Sequence, residues 1–117
     1  MKPNILEKIK KSLLDELDKI KKQISELQAD DPFNDPEHVN NNAAVDHDVR
    51  EQETHQRIEA EIDTIKERQQ DIRIALQRIE KGRYGYCKRC NTKIPYARLE
   101  LIPETIYCVK CESEIKT

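Results

Sequence analysis

The sequence predicts a mainly α fold: an antiparallel two-helix coiled-coil hairpin over residues 1–81 and a small cysteine-organised module over residues 82–117. Three observations predict it. Leucine and isoleucine recur at heptad spacing in two stretches. A segment rich in proline and asparagine separates those stretches. All four cysteines fall within residues 87–111.

The first helix is expected over residues 4–29. Leu6, Leu13, Ile20 and Leu27 are seven residues apart, and Leu17 and Ile24 complete an a/d stripe in which Lys10 is the polar exception. Asn4 with Glu7 has the pattern of a capping box. Ile5, Ile9 and Leu14 widen the stripe near the N-terminus, so that end is expected to pack against something more than the second helix.

Residues 30–45 break the pattern. Pro32, Pro36 and the run Asn40-Asn41-Asn42 oppose a continuous helix, and a tip loop is expected at about 30–48. Phe33, the sole phenylalanine, is expected to cover the open end of the seam, with an exposed contact as the other reading.

The second helix is expected to begin between Asp46 and Thr54, with Asp48 and Glu51 as a capping box, and to end at Gly82. Ile58, Ile62, Ile65, Gln69, Ile72, Leu76 and Ile79 alternate steps of four and three, an a/d seam broken only by Gln69. Two such helices joined by one loop fold back on each other, each about 40 Å long at about 1.5 Å per residue. Pairing of the same seams between two chains is the competing state; a monomer is expected.

Composition narrows the function. The chain has 117 residues, 38% charged and 4% aromatic, without tryptophan, which leaves little for a large aromatic core. The charges are interleaved and sum to only -2, as on solvated helix faces rather than in a disordered polyelectrolyte. By segment they separate: residues 30–63 carry eleven acids against Arg50 and Arg57, while both flanks are mildly basic. No run of 18 apolar residues suits a membrane span, and the N-terminus lacks the apolar stretch of a secretory signal. A cytoplasmic protein is expected, so the cysteines call for an explanation other than disulfides. No Ser/His/Asp set, phosphate loop or carboxylate pair suggests an enzyme.

Cys87-x2-Cys90 and Cys108-x2-Cys111, seventeen residues apart, have the spacing of a metal site. Each pair places two thiolates on one ion, and four sulfurs close a tetrahedral shell with no open position. One structural Zn2+ is expected; iron is the other metal that four sulfurs accept. Lys88, Arg89, Lys93, Lys110 and Arg98 partly offset the negative charge of the thiolates; a phosphate-binding patch is the competing reading, and it is not the expected one because a patch of +3 is weak beside those of nucleic-acid binders. Tyr84, Tyr86, Tyr96 and Tyr107 cluster here and are expected to form a miniature core around the metal rather than a base-stacking surface. His47 between Asp46 and Asp48 has no spacing for a closed metal shell.

The run Gly82-Arg83-Tyr84-Gly85-Tyr86-Cys87-Lys88-Arg89-Cys90, then Ile94-Pro95-Tyr96-Ala97-Arg98-Leu99-Glu100, Pro103 and Cys108-Val109-Lys110-Cys111, resembles the DksA/TraR zinc-finger family. Asn91 stands where that family usually has glycine; asparagine is the next-best residue for a left-handed backbone. The resemblance implies a zinc-containing transcription regulator that binds RNA polymerase, with a hairpin entering the secondary channel and acidic tip residues approaching the active-site region. It implies no direct DNA binding. The family's D-x-x-D-x-A tip pattern is not reproduced in Ala44-Val45-Asp46-His47-Asp48-Val49, and Asp46 and Asp48 are the nearest counterparts. The chain stops six residues after Cys111, so the family's long C-terminal helix is expected to be missing. The alternatives are a structural coiled-coil/zinc adaptor and a zinc-ribbon nucleic-acid binder.

Overall fold

The heptad stretches do form the two long helices. The computed structural model describes the backbone of residues 2–34 and 45–116 and the side chains of residues 2–33 and 49–115. Helix α1 spans Pro3–Asp30, a single 3-10 turn follows at Pro32–Asn34, and helix α2 spans Val45–Glu80. Two short helices complete the chain, α3 at Tyr96–Leu101 and α4 at Val109–Lys116. Among the described residues there is no strand, only an isolated antiparallel bridge between Tyr86 and Lys93.

The helix starts differ from the capping-box reading. Proline at the first position of α1 has no N–H to satisfy, and its fixed φ suits a helix start. The carbonyl of Lys2 accepts the first bonds, from Ile5 N and Leu6 N at 3.1 Å each, so Asn4 sits inside the helix and is not its cap. Helix α2 begins at Val45, upstream of the expected Asp48 cap. The predicted stop at Gly82 holds. Gly82 takes φ 71°, Arg83 N bonds to Arg78 O at 2.8 Å, and Gly82 N bonds to Ile79 O at 3.2 Å. That is the paired bonding of a Schellman motif.

The chain divides into two compact units, and the divisions fall inside the long helices. One unit joins residues 1–17 to 68–117; the other is residues 18–67. In the first, α1 and α2 bury Ile9, Leu13, Ile72 and Ala75 together with Tyr84, Cys87, Ile94, Leu99, Ile106 and Cys111 from the module. In the second, the buried apolar side chains are Ile20, Ile58 and Ile62. Rising residue numbers on α1 meet falling ones on α2, as an antiparallel pair requires. Glu16 bonds to Arg68 at 3.3 Å in the first unit, and Asp31, just past α1, bonds to His55 at 2.6 Å in the second.

The expected seam residues Ile65, Gln69, Leu76 and Ile79 are half-buried, whereas Ala75, off the heptad, is fully covered. An α2 stripe of this width is broader than a coiled-coil seam alone requires. The widened start of α1 has the same explanation: Ile5 and Ile9 lie beside Tyr96 and Leu99 of the module. Leu14, expected to share that stripe, is exposed.

Candidate metal centre

Both cysteine pairs sit on turns that the local sequence forms readily. At the first, Cys87 N bonds to Thr92 O and Asn91 N to Cys87 O, each at 2.8 Å, which closes a tight turn between Tyr86 and Lys93. Asn91 takes φ 60° there, the left-handed conformation for which asparagine is the best substitute for glycine. Gly85, at φ 92°, starts this ribbon, and its carbonyl accepts from Ile94 N at 2.7 Å.

The second pair uses a helix start. Glu112 N bonds to Cys108 O at 2.9 Å, so Cys108 stands just before α4 and Cys111 lies in its first turn. Cys111 N donates to Cys108 Sγ at 3.5 Å, as a backbone donor does to the oxygen of an N-cap serine or aspartate. The sulfur takes the place of that oxygen. The first pair repeats the contact: Cys90 N donates to Cys87 Sγ at 3.5 Å.

These turns bring the four sulfurs together. The Sγ atoms of Cys87, Cys90, Cys108 and Cys111 all lie within 4.8 Å of one another, and Cys90 and Cys108 are 3.7 Å apart. A tetrahedral shell with Zn–S of about 2.3 Å requires sulfurs about 3.8 Å apart. None of the four forms a disulfide. The cluster is therefore positioned to bind one metal ion with four protein ligands.

Its electrostatics also call for a cation. Burial opposes ionisation of Cys87, but the backbone N–H groups of Cys90, Cys108 and Arg89 and the Cys90 side chain outweigh it and lower the thiol to about 6. At Cys90 the Thr92 hydroxyl, 3.1 Å from the sulfur, leads the effects that lower it. Cys111 moves the other way: burial first, then the sulfurs of Cys108, Cys90 and Cys87, push it up to about 12. Clustered thiols oppose one another's ionisation, and a divalent ion among them removes that conflict.

The surrounding side chains lock the module. Tyr84 is buried and donates its hydroxyl to Pro103 O at 2.8 Å. Burial, with Glu104 and Tyr96 nearby, raises this phenol to about 12. Arg89 pairs with Glu114 at 2.6 Å, and Arg98 pairs with Glu112. Two of the cations expected to offset the thiolates are thus tied to α4. The expected tyrosine core forms only in part: Tyr84 is inside, Tyr107 is half-buried, and Tyr86 and Tyr96 are exposed.

The decisive agreement is between spacing and fold. Residues 82–116 match the prokaryotic dksA/traR C4-type zinc finger. This segment is similar to DksA/TraR-type C4 zinc fingers. Curated relatives share the similarity over limited stretches. An uncharacterized protein of Aquifex aeolicus (strain VF5) is 50% identical over 56 residues, 48% of this chain and 36% of the relative. The uncharacterized protein YlyA of Bacillus subtilis (strain 168) is 46% identical over 39 residues, 33% of this chain and 32% of its own. General stress protein 16O of the same organism is 32% identical over 47 residues, 40% of this chain and 29% of its own. The matched stretches thus span about a third of those relatives. Among solved structures, the transcription factor DksA2 from Pseudomonas aeruginosa superposes with a TM-score of 0.79 at 19% identity, over 97% of this chain and 84% of that one. The DksA-like fold therefore extends well beyond the zinc finger.

The other expected site residues belong to the unit of residues 18–67. Asp46 and Asp48 lie on the backbone of α2 near its start, and their side chains fall outside the described residues, as does that of His47. His38 and most of the expected tip loop, residues 35–44, also lie outside them. A third histidine makes contacts that spacing did not suggest. His55 Nδ1 is 2.6 Å from Asp31 Oδ2, its Nε2 is 3.0 Å from Glu59 Oε1, and Phe33 stacks on its ring at 4.2 Å. Asp31 is buried and also accepts from Phe33 N at 3.0 Å. Phe33 thus stacks on an imidazole and is itself exposed.

Proposed function

We propose that this protein is a zinc-containing transcription regulator that binds RNA polymerase, through the secondary channel with the acidic end of its hairpin. Cys87, Cys90, Cys108 and Cys111 hold a single structural zinc, and the zinc has no catalytic role. Asp46 and Asp48 act at the tip. The protein works in the cytoplasm, as a monomer and without enzymatic activity, with residues 1–81 as the hairpin and residues 82–117 as the zinc module.

The observation that carries the reading is the pairing of a DksA/TraR-type zinc finger with a DksA-like fold over nearly the whole chain. The charge distribution agrees with it. Residues 18–67 hold fourteen acidic and six basic residues, so the unit with the tip is strongly negative. A negative surface suits a partner site rich in cations and bound metal.

The test is co-purification of the zinc-loaded chain with core RNA polymerase, followed by transcription initiation in vitro. Binding together with a changed yield of initiated transcripts is expected. Asp46→Asn with Asp48→Asn should remove most of the change in initiation. An unchanged effect would reject the tip assignment, and absence of polymerase binding would reject the function.

A further inference from the structure

One cavity of the zinc-bearing unit takes no part in the cysteine cluster. It measures about 250 Å3. Three segments converge on it: the start of α1 through Ile5, the ribbon from Gly85 to Ile94, and α3 through Tyr96 and Leu99. The floor is apolar, with Ile94 and Leu99 each 1% exposed. The walls are aromatic, and Tyr86 and Tyr96 keep 43% and 49% of their surface in solvent. Lys2 and Lys93 also line it, and no acidic side chain among the described residues does. That is selective in a chain with 23 acids. The unit around it is basic as well, with fifteen basic residues against nine acidic.

Exposed tyrosines over an apolar floor are costly to leave in water and are the residue type enriched at binding hot spots. The cavity lies below the range of about 300–1,000 Å3 typical for drug-sized ligands, so it has room for one anchoring side chain rather than a cofactor. Two lysines are too few for a track along a nucleic-acid backbone, whose affinity depends on many phosphate contacts. They are well matched to a carboxylate or two beside an apolar anchor.

We infer that this cleft docks an acidic protein segment, with one apolar or aromatic side chain seated between Tyr86 and Tyr96 and its carboxylates on Lys2 and Lys93. The inference rests on the polymerase reading and adds a second contact to it. The negative unit faces a cationic site, and the positive unit grips an acidic segment of the same partner. Two weak contacts on one partner reinforce each other through effective concentration.

The experiment measures the affinity of the fluorescently labelled, zinc-loaded chain for core RNA polymerase. Tyr96→Ala and Lys93→Glu should each weaken binding about tenfold, roughly 1.4 kcal/mol. Tyr96→Phe should restore it, because the anchor packs on the ring. Lys11→Glu, the same charge change at an exposed site that does not line the cleft, should stay within about twofold; it separates the cleft from the general field of the unit. Wild-type affinity in Tyr96→Ala and Lys93→Glu, with zinc content intact, overturns the cleft assignment and leaves the polymerase reading standing. No binding by the wild-type chain overturns both. Capture of a single-stranded oligonucleotide that the same two variants abolish overturns the assignment of the ligand as protein. If Tyr96→Ala loses zinc, Lys93→Glu decides the matter, since that side chain is exposed.

Discussion

The two units of this chain are built from the same two helices yet are held in different ways. Among the described residues, the zinc-bearing unit buries ten apolar side chains and the other unit three. The first closes around a metal site, a buried tyrosine and two arginine–glutamate pairs to α4. The second relies on a thin isoleucine seam, ended by a buried carboxylate that holds an imidazole and a loop N–H. Their charges oppose each other as well. A thin seam makes the cost of local opening low, so the acidic unit is the one expected to open first in hydrogen exchange.

The largest test of that contrast is removal of the metal. Zinc analysis should give one ion per chain, and chelation should unfold the module while leaving much of the long helices, because apparent zinc-binding energies of about 10–16 kcal/mol are folding energy for such sites. Near-UV circular dichroism, carried by the tyrosines around the site, should collapse further than the helical signal. Equal loss of both would mean that the acidic unit depends on the metal too.

Core truncation comes next. Ile72→Ala should cost about 2–5 kcal/mol, since Ile72 has no exposed surface and belongs to the unit with the larger buried core. Ile62→Ala, at 8% exposure in the thinner seam, should cost less because the site collapses more readily. The reverse order in chemical denaturation would undo the comparison.

Alkaline pH probes the zinc-bearing unit alone. Tyr84 is raised to about 12 from an ordinary value near 10, so the unfolded chain loses its proton first. The stability it contributes is full below about pH 10 and is lost as pH rises toward about 12. Tyr84→Phe should flatten that part of the stability curve, and an unchanged slope would mean that the phenol is not buried as described.

Asp31→Asn probes the other unit. It replaces one of the two accepting oxygens by an amide donor, so the hydrogen bonds to Phe33 N and His55 cannot both be kept, which costs about 1–3 kcal/mol for the buried group left unpaired. Hydrogen exchange should accelerate within residues 18–67 and stay unchanged in the zinc finger. The smallest effect is at the end of α2. Gly82→Ala forces a side chain into a left-handed backbone, with open space around it, and should cost about 1 kcal/mol in melting experiments.

Much of this was legible in the residues. Heptad spacing located both long helices, because a seam that buries one face must repeat with the helix turn. The two C-x2-C pairs marked the metal site, because the turn that joins two thiolates on one ion is local. Gly82 and Asn91 are visible in the same way, as positions where the backbone must turn left-handed. The helix starts were misread at Asn4 and Asp48, since a capping pattern inside a stretch that is already helical has no end to cap.

By itself, then, the sequence determined what depends on neighbours along the chain: the helical period, the stop at glycine, the two thiolate turns and the excess of acid in the middle. Tertiary structure decided what depends on residues far apart. It buried Ala75 off the heptad, joined His55 to Asp31 across 24 positions, tied Arg89 and Arg98 to α4, and left Tyr86 and Tyr96 open while enclosing Tyr84. The physical reason is that periodicity reports which face of one element is apolar, whereas burial depends on which other elements cover it.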